Sequence, residues 1–150
     1  MLTLTRKTEY GLIAMCHLAR IGRTVVSARD IAEEHGVPLA LLMNVMKKLN
    51  RTGLINSVRG AHGGYILNSD PKKVSLARLI ECVERPVSLV RCTSTREDRR
   101  CGLTQSCTIR RSVIKVHLKL RQFLDEVTIA DLAFDEQPPA CAGLPQVVAQ

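Results

Sequence analysis

The chain of 150 residues has no tryptophan and only two tyrosines and two phenylalanines. Aromatic packing can therefore contribute little to an interior, and aliphatic side chains must build the core. Hydrophobic residues still make up 45% of the chain, which is enough for a packed domain and excludes wholesale disorder. The length suits one compact domain with an appended helix or tail better than two independent cores.

The sequence also lacks long apolar runs. No stretch approaches the roughly 20 residues of a membrane span, and the amino terminus lacks the basic, apolar and small-residue order of a secretory signal. These absences predict a cytoplasmic protein without a membrane partner. In that compartment the six cysteines are expected as reduced thiols or metal ligands, because a disulfide framework belongs to oxidising environments.

Catalytic and nucleotide-binding motifs are absent as well. The sequence has no phosphate-binding loop, no dinucleotide fingerprint and no recognisable set of nucleophile, base and orienting residue, so we expect neither an enzyme nor a small-molecule substrate. The net charge is +8, and residues 1–80 hold 12 Lys and Arg against 5 Asp and Glu, whereas residues 81–150 hold 10 against 9. A basic amino-terminal half suits nucleic acid, although a merely soluble basic surface has the same charge.

The first half of the chain has the capping and periodicity of a helix-turn-helix. Thr5 can cap a first helix, and Ser27 can cap a second over about residues 28–35. His35-Gly36-Val37-Pro38 then predicts a turn, after which Pro38 can begin a third helix. An apolar stripe on that helix comprises Leu42, Val45, Met46 and Leu49. Its opposite face offers contacts to phosphates or base edges from Asn44, Lys47, Lys48 and Arg51.

A β-hairpin is predicted directly after the third helix. Leu54 to Val58 reads as one strand, Arg59-Gly60-Ala61-His62-Gly63-Gly64 as the turn, and Tyr65-Ile66-Leu67 as the returning strand. The glycines permit positive φ and close backbone approach, and Arg59 and His62 offer donors to DNA at the tip. The sequence therefore predicts a winged helix-turn-helix, which is mainly α with a small β-hairpin wing.

The second half of the chain contains one long helix. Ser75 can cap a fourth helix that Pro86 closes, and an apolar seam with alternating four- and three-residue spacing follows at Ile109, Val113, Val116, Leu120, Phe123 and Val127. Such a seam packs within the chain or on a second copy, and we favour a homodimer. Thr128 can cap one last helical turn through Leu132. We divide the chain into a winged helix-turn-helix domain (1–85), a cysteine loop (86–107), a dimerisation helix with a terminal turn (108–134) and a loose tail (135–150).

The cysteine loop carries Cys92, Cys101 and Cys107 in a C-x8-C-x5-C pattern. These gaps allow a loop to wrap around an inorganic cluster, and thiolates are the usual protein ligands of iron–sulfur clusters. Zinc sites favour closer pairs and a fourth Cys or His. A cluster, a zinc site and bare thiols all remain open on the residues alone. Cys16 and Cys82 lie on apolar helical patterns and are expected in the core.

Several segments resemble the Rrf2 family of bacterial transcription regulators, which includes IscR-like, NsrR-like and SUF-operon regulators. The resemblance covers about residues 1–134, and its most specific parts are Leu4-Thr5-Arg6-Lys7-Thr8-Glu9-Tyr10-Gly11-Leu12, Ser57-Val58-Arg59-Gly60-Ala61-His62-Gly63-Gly64-Tyr65, the three-cysteine loop and Val127-Thr128-Ile129-Ala130-Asp131-Leu132. It implies a homodimer that binds palindromic double-stranded operator DNA, with the third helix in the major groove and the wing beside the minor groove. It also implies a two-iron or four-iron cluster that senses redox state, nitric oxide or iron–sulfur status.

The resemblance also suggests a fourth cluster ligand. IscR-like proteins use a histidine just after the third cysteine, but Thr108, Ile109 and Arg110 occupy that region here. NsrR-like proteins use a carboxylate from the first helix, and Glu9 has the matching position, so Glu9 is the candidate. A cluster-free thiol-redox regulator and a small iron–sulfur electron-transfer protein are the alternative functions. An electron-transfer protein would need neither the basic helix nor the wing.

Overall fold

The computed structural model describes residues 3–60, 62–84, 86–89 and 106–135. This part of the chain forms six α-helices and one hairpin, in the order α1 (Arg6–Ile21), α2 (Ala28–His35), α3 (Leu39–Arg51), β1 (Ile55–Val58), β2 (Gly64–Leu67), α4 (Leu76–Val83), α5 (Arg110–Glu126) and α6 (Ile129–Ala133). A short 3₁₀ turn, which was not predicted, precedes α4 at Pro71–Lys73. The expected mainly α fold with a β-hairpin is confirmed. None of the described helices has the length and apolar character needed to cross a membrane.

Side-chain caps set the first residue of four helices. The hydroxyl groups of Thr5, Ser27, Ser75 and Thr128 each accept a hydrogen bond from the backbone amide three residues later. The sequence predicts all four caps, because a capping bond is local: it requires only a polar side chain next to the unpaired backbone amides of the first helical turn. Helix α3 differs slightly, since Pro38 stands at its N-cap and Leu39 is its first residue.

The core is aliphatic, as the scarcity of aromatic residues requires. Its fully buried side chains include Met15, Leu18, Ile31, Leu42, Met46, Leu49, Leu79 and Ile129. The predicted stripe of α3 is buried along its whole length. Gly11 lets α1 approach its neighbours closely, because a Cβ at this position would lie 3.1 Å from Val83 in α4 and 3.5 Å from Val45 in α3. Helix α1 is thus in direct contact with the helix-turn-helix.

The hairpin is attached to the helices through Val26, a residue outside its two strands. Strands β1 and β2 are antiparallel, from Ile55 opposite Leu67 to Val58 opposite Gly64. Val26, just before α2, exchanges two backbone hydrogen bonds with Tyr65, at 3.0 and 2.8 Å. A Cβ on Gly64 would lie 2.3 Å from the carbonyl oxygen of Val26. Only glycine fits this crossing.

The last two helices return to the amino-terminal half. In α5, Arg121 forms an ion pair with Glu81 of α4. The Nε of Arg20 in α1 donates a hydrogen bond of 2.7 Å to the carbonyl oxygen of Ala133 at the end of α6. The predicted seam of α5 divides into two rows. Val113, Leu120 and Val127 are half-buried, whereas Ile109, Val116 and Phe123 are 64%, 57% and 58% exposed.

Candidate functional site

Helix α3 presents a polar face opposite its buried stripe. Asn44, Lys47 and Arg51 are all exposed, and their spacing of three and four residues aligns them along one side of the helix. An asparagine amide can bond adenine at its groove edge, and lysine and arginine can bond guanine or phosphate. The three predicted residues therefore lie together on a surface that is chemically suited to DNA.

Lys48 lies apart from this face. Its ammonium group donates a hydrogen bond of 2.5 Å to the carbonyl oxygen of Val83, the last residue of α4. A lysine in this position satisfies an unpaired carbonyl and interacts favourably with the negative end of the helix dipole. Lys48 thus ties α3 to α4, although the sequence prediction placed it among the DNA contacts. The helical period could have indicated this in part, because Lys48 lies three residues after the buried Val45 and therefore closer to the buried side of α3 than Lys47 does.

The wing is held at a defined position relative to α3. The amide of Ser57 donates to Oδ1 of Asn50 at 3.1 Å, and the side chains of Asn56 and Asn68 are joined at 2.9 Å. Arg59 and His62 are exposed at the tip, where Gly60 adopts a φ of 130° that other residues rarely reach. The structure therefore brings the tip and the polar face of α3 into one connected unit.

Two exposed leucines at the start of α3 were missed by the sequence reasoning. Leu39 and Leu41 are both exposed, although they are large and apolar. The amino-terminal residues of a recognition helix are those that reach base edges, and apolar side chains can contact the methyl group of thymine. The helical period gave no signal for their exposure, because Leu39 lies three residues before the buried Leu42 and Leu41 four residues before the buried Val45. The two exposed leucines extend the candidate interface to the beginning of α3.

Of the four predicted cluster ligands, Glu9 and Cys107 fall within the described residues, and Cys92 and Cys101 lie outside them. Cys107 is half-buried just before α5. Glu9 is half-buried in the first turn of α1, and its Oε2 lies 3.1 Å from a guanidinium nitrogen of the exposed Arg6. A surface ion pair of this kind is worth only about 0–1 kcal/mol. The Glu9 carboxylate can therefore exchange Arg6 for another cation.

The chain that enters the cysteine loop runs beside the start of α1. A cleft is lined there by Thr5 and Thr8 of α1, by Pro86 and Ser88, and by Leu120 of α5. Residues 86–88 therefore lie close to the helical turn that carries Glu9. A set of thiolates with one carboxylate has the donor chemistry that iron accepts in proteins.

Cys16 and Cys82 are half-buried and pack against the core. Burial raises the pKa of the Cys16 thiol, and the positive charge of Arg20 opposes this only in part. A raised pKa favours the neutral thiol, which is a poorer metal ligand and nucleophile than the thiolate. Cys16 is therefore a packing residue, as the sequence suggests.

The comparison with protein families decides the classification. The model of the Rrf2 family, described as iron-dependent transcriptional regulators, matches residues 4–135. The chain belongs to the Rrf2 family. Among the curated relatives, a protein of Azotobacter vinelandii named as the HTH-type transcriptional regulator ORF2 is 33% identical over 130 residues, which are 86% of this chain and 77% of that protein.

Solved structures confirm the winged-helix fold of this Rrf2 protein. CymR, described as the global cysteine regulator of B. subtilis, superposes with a TM-score of 0.70 at 31% identity, over 91% of this chain and 100% of that chain. IscR from T. potens superposes with a TM-score of 0.69 at 30% identity, over 95% of this chain and 94% of that chain. The family and the relative from Azotobacter vinelandii are described as transcription regulators, and so this Rrf2 protein is a transcription regulator.

Proposed function

We propose that this Rrf2 protein binds a palindromic DNA operator as a homodimer and that its affinity follows the state of an iron–sulfur cluster. The observation that carries the proposal is the joint presentation of the α3 face and the wing, which the hydrogen bond between Asn50 and Ser57 holds together. Asn44, Lys47 and Arg51 would lie at the major groove, where Lys47 would contact a phosphate. Arg59 and His62 would lie beside the minor groove, as the family resemblance implies, and arginine is a residue that proteins use there.

The exposed row on α5 supports the homodimer. Ile109, Val116 and Phe123 recur every seven residues and leave large apolar side chains in solvent. A second copy of α5 would cover this row, because a repeat of seven residues keeps one side of a helix against its partner. A two-fold dimer places its two recognition helices on related half-sites, which is why a palindromic operator is expected.

The donor chemistry of the cysteine loop supports the cluster. Cys92, Cys101 and Cys107 would supply three thiolates, and Glu9 would replace its ion pair with Arg6 by a bond to iron. The bound cluster would supply chemistry that responds to oxygen, nitric oxide or iron supply. A change at Glu9 would reach α3 through the contact of Gly11 with Val45, because both residues belong to the same packed core.

A cluster-free thiol regulator is the second candidate. The likeness to CymR of Staphylococcus aureus, which has been solved in an oxidized form, favours it, and so does the half-buried thiol of Cys107. In that case oxidation of the loop cysteines would itself change DNA affinity. The two candidates share the DNA-binding surface and differ in whether iron and sulfide are present.

The decisive experiment combines anaerobic spectroscopy with DNA titration. The full chain is purified without oxygen, its visible absorbance and acid-labile sulfide are measured, and an operator selected from a random duplex pool is titrated before and after nitric oxide. We expect cluster absorbance, sulfide and a nitric-oxide-dependent change in affinity. Single serine substitutions of Cys92, Cys101 and Cys107 should abolish all three. Cys82→Ala is the matched control from the core and should retain them.

The remaining outcomes separate the candidates. Absence of absorbance and sulfide would contradict the cluster, and an affinity that then follows thiol oxidation would favour the thiol regulator. Equal affinity for the selected operator and for random duplex at every salt concentration would contradict both.

A further inference from the structure

Three potential metal ligands converge on a part of the molecule that neither the DNA surface nor the cysteine loop uses. His17 belongs to α1, and Glu34 and His35 form the end of α2. The Nδ1 of His17 lies 3.1 Å from the Nε2 of His35. The Oε1 of Glu34 lies 3.4 Å from the former nitrogen and 3.7 Å from the latter.

The three distances between these atoms average 3.4 Å, which is close to the spacing in a zinc coordination sphere. Ligand atoms around a tetrahedral zinc ion, at bond lengths of about 2.0–2.2 Å, lie roughly 3.3–3.6 Å from one another. A triangle with the three observed sides has a circumscribed radius of about 2.0 Å, which is the radius that three ligands of a tetrahedral zinc ion span when the bonds are about 2.1 Å and the ion lies roughly 0.7 Å out of their plane. One ion near the centre can therefore reach all three atoms without rearrangement of the backbone.

The surroundings of the three side chains also suit a metal ion. The side chain of His17 is only 5% exposed, and packing between α1 and α2 orients it, so little entropy would be lost on binding. Its ring lies edge-on to that of His35, with centroids 5.2 Å apart. Glu34 is 61% exposed and leaves the site open to solvent on one side. A simple hydrogen bond between His17 and His35 would not explain why the Glu34 carboxylate lies close to both ring nitrogens.

We propose that His17, Glu34 and His35 form a binding site for Zn²⁺ or a similar divalent transition metal, with water in the fourth position. Two imidazoles and one carboxylate are a donor set that such ions accept. The metal would join α1 to the end of α2, immediately before the turn that leads to α3. It would thereby stiffen the helix-turn-helix independently of the cysteine loop.

The test uses metal titration of a full-length chain without a histidine tag. Cys92, Cys101 and Cys107 are replaced by serine in this parent, so that loop thiolates cannot bind the added metal. Zn²⁺ is titrated against a chromophoric chelator, and Co²⁺ is followed by its visible absorbance. We expect one equivalent of metal per chain, Co²⁺ bands typical of nitrogen and oxygen ligands, and a melting temperature that rises with Zn²⁺.

Matched variants locate the site. Glu34→Gln and His35→Gln should each weaken Zn²⁺ binding by at least roughly tenfold, since losing even an outer partner of a ligand costs about 10–100-fold. Glu33→Gln is the control, because Glu33 is the preceding residue of the same helix and is exposed. All three variants leave the buried His17 in place, and their circular dichroism spectra should match that of the parent. No stoichiometric binding by the parent, or unchanged binding by both ligand variants, would overturn the proposal.

Discussion

Lys47 and Lys48 are neighbours in the chain, but their side chains have different surroundings. Lys47 is exposed on the polar face of α3, whereas Lys48 donates to the carbonyl oxygen of Val83. Successive residues of an α-helix point about 100° apart, so one lysine can face DNA while the other supports the fold. Charge at a position therefore does not by itself identify a DNA contact.

This difference predicts that two alanine variants affect different properties, namely DNA affinity for Lys47 and folding stability for Lys48. Lys47→Ala should weaken binding to operator and random duplex alike and reduce the salt slope of log K by about 0.9. Lys48→Ala should instead lower the free energy of unfolding by roughly 1–3 kcal/mol, because it removes a hydrogen bond from a charged group. Fluorescence anisotropy across salt and urea unfolding measure the two effects. A salt slope in Lys47→Ala equal to that of the native chain would contradict the assignment of Lys47 as a DNA contact.

Asp131 provides a residue-level prediction about pH. Two hydrogen bonds from Thr128 hold the pKa of Asp131 below its ordinary value of 3.8. The hydroxyl group donates the one with the larger effect, and the backbone amide donates the other. A carboxyl group whose pKa is lowered by folding adds stability above its unfolded pKa, and this stability is lost as the pH falls through the folded pKa. Asp131→Asn should therefore be less stable than the native chain at neutral pH, and the difference should vanish in acid.

Urea unfolding from neutral pH to about pH 2 measures this difference. Thr128→Ala removes the hydroxyl donor and should reduce the same acid dependence. Identical pH profiles for the native chain and Asp131→Asn would show that the capping box of α6 does not contribute through ionisation.

At the scale of secondary-structure elements, the wing depends on contacts beyond its two strands. Asn50 at the end of α3 accepts from the amide of Ser57, and Val26 exchanges two hydrogen bonds with Tyr65. The hairpin would be marginal alone, because two strands bury little surface. Its connections to α3 and to the segment before α2 therefore decide where Arg59 and His62 are placed.

Gly64→Ala tests this attachment. The added Cβ would lie 2.3 Å from the carbonyl oxygen of Val26, so the strand must move and the bonds between Val26 and Tyr65 should break. We expect a loss of more than about 1 kcal/mol in stability and faster hydrogen exchange at the Tyr65 amide. Ser57→Ala, a substitution at an exposed position of β1, is the control. Native exchange at Tyr65 in Gly64→Ala would contradict the close approach.

At the scale of the whole molecule, α1 connects all the candidate sites. It carries Glu9 and His17, contacts α3 and α4 through Gly11, and binds the end of α6 through Arg20. A ligand at either end of α1 would therefore act on a core that also supports the recognition helix. The α5 helix leaves one apolar row, formed by Ile109, Val116 and Phe123, exposed.

The proposed dimer predicts a contrast between two residues of α5 that are almost equally exposed in the single chain. Val116 is 57% exposed and lies in the apolar row, whereas Leu118 is 58% exposed and points about 200° away around the helix. Val116→Glu should give a monomer with weakened operator binding, because the dimer would bury an unpaired charge. Leu118→Glu should stay dimeric. Analytical ultracentrifugation measures the difference, and a dimer of unchanged stability in Val116→Glu would exclude this interface.

The sequence by itself determines the local features of this protein. The caps at Thr5, Ser27, Ser75 and Thr128, the buried stripe of α3 and the hairpin are all predicted correctly, because each depends on residues a few positions apart. The exposed polar face of α3 follows from the same period. Membership of the Rrf2 family is likewise evident from short motifs.

Only the tertiary structure decides which distant residues meet. The carbonyl oxygen of Val83 accepts a hydrogen bond from Lys48 and keeps it apart from the exposed polar face of α3. The fold also brings His17 close to Glu34 and His35. Half of the α5 seam packs against the chain, while the other half stays exposed. These outcomes depend on how helices far apart in sequence orient against one another, which the periodicity of a single helix does not specify. The ligand roles of Cys92, Cys101, Cys107 and Glu9 remain predictions from the sequence.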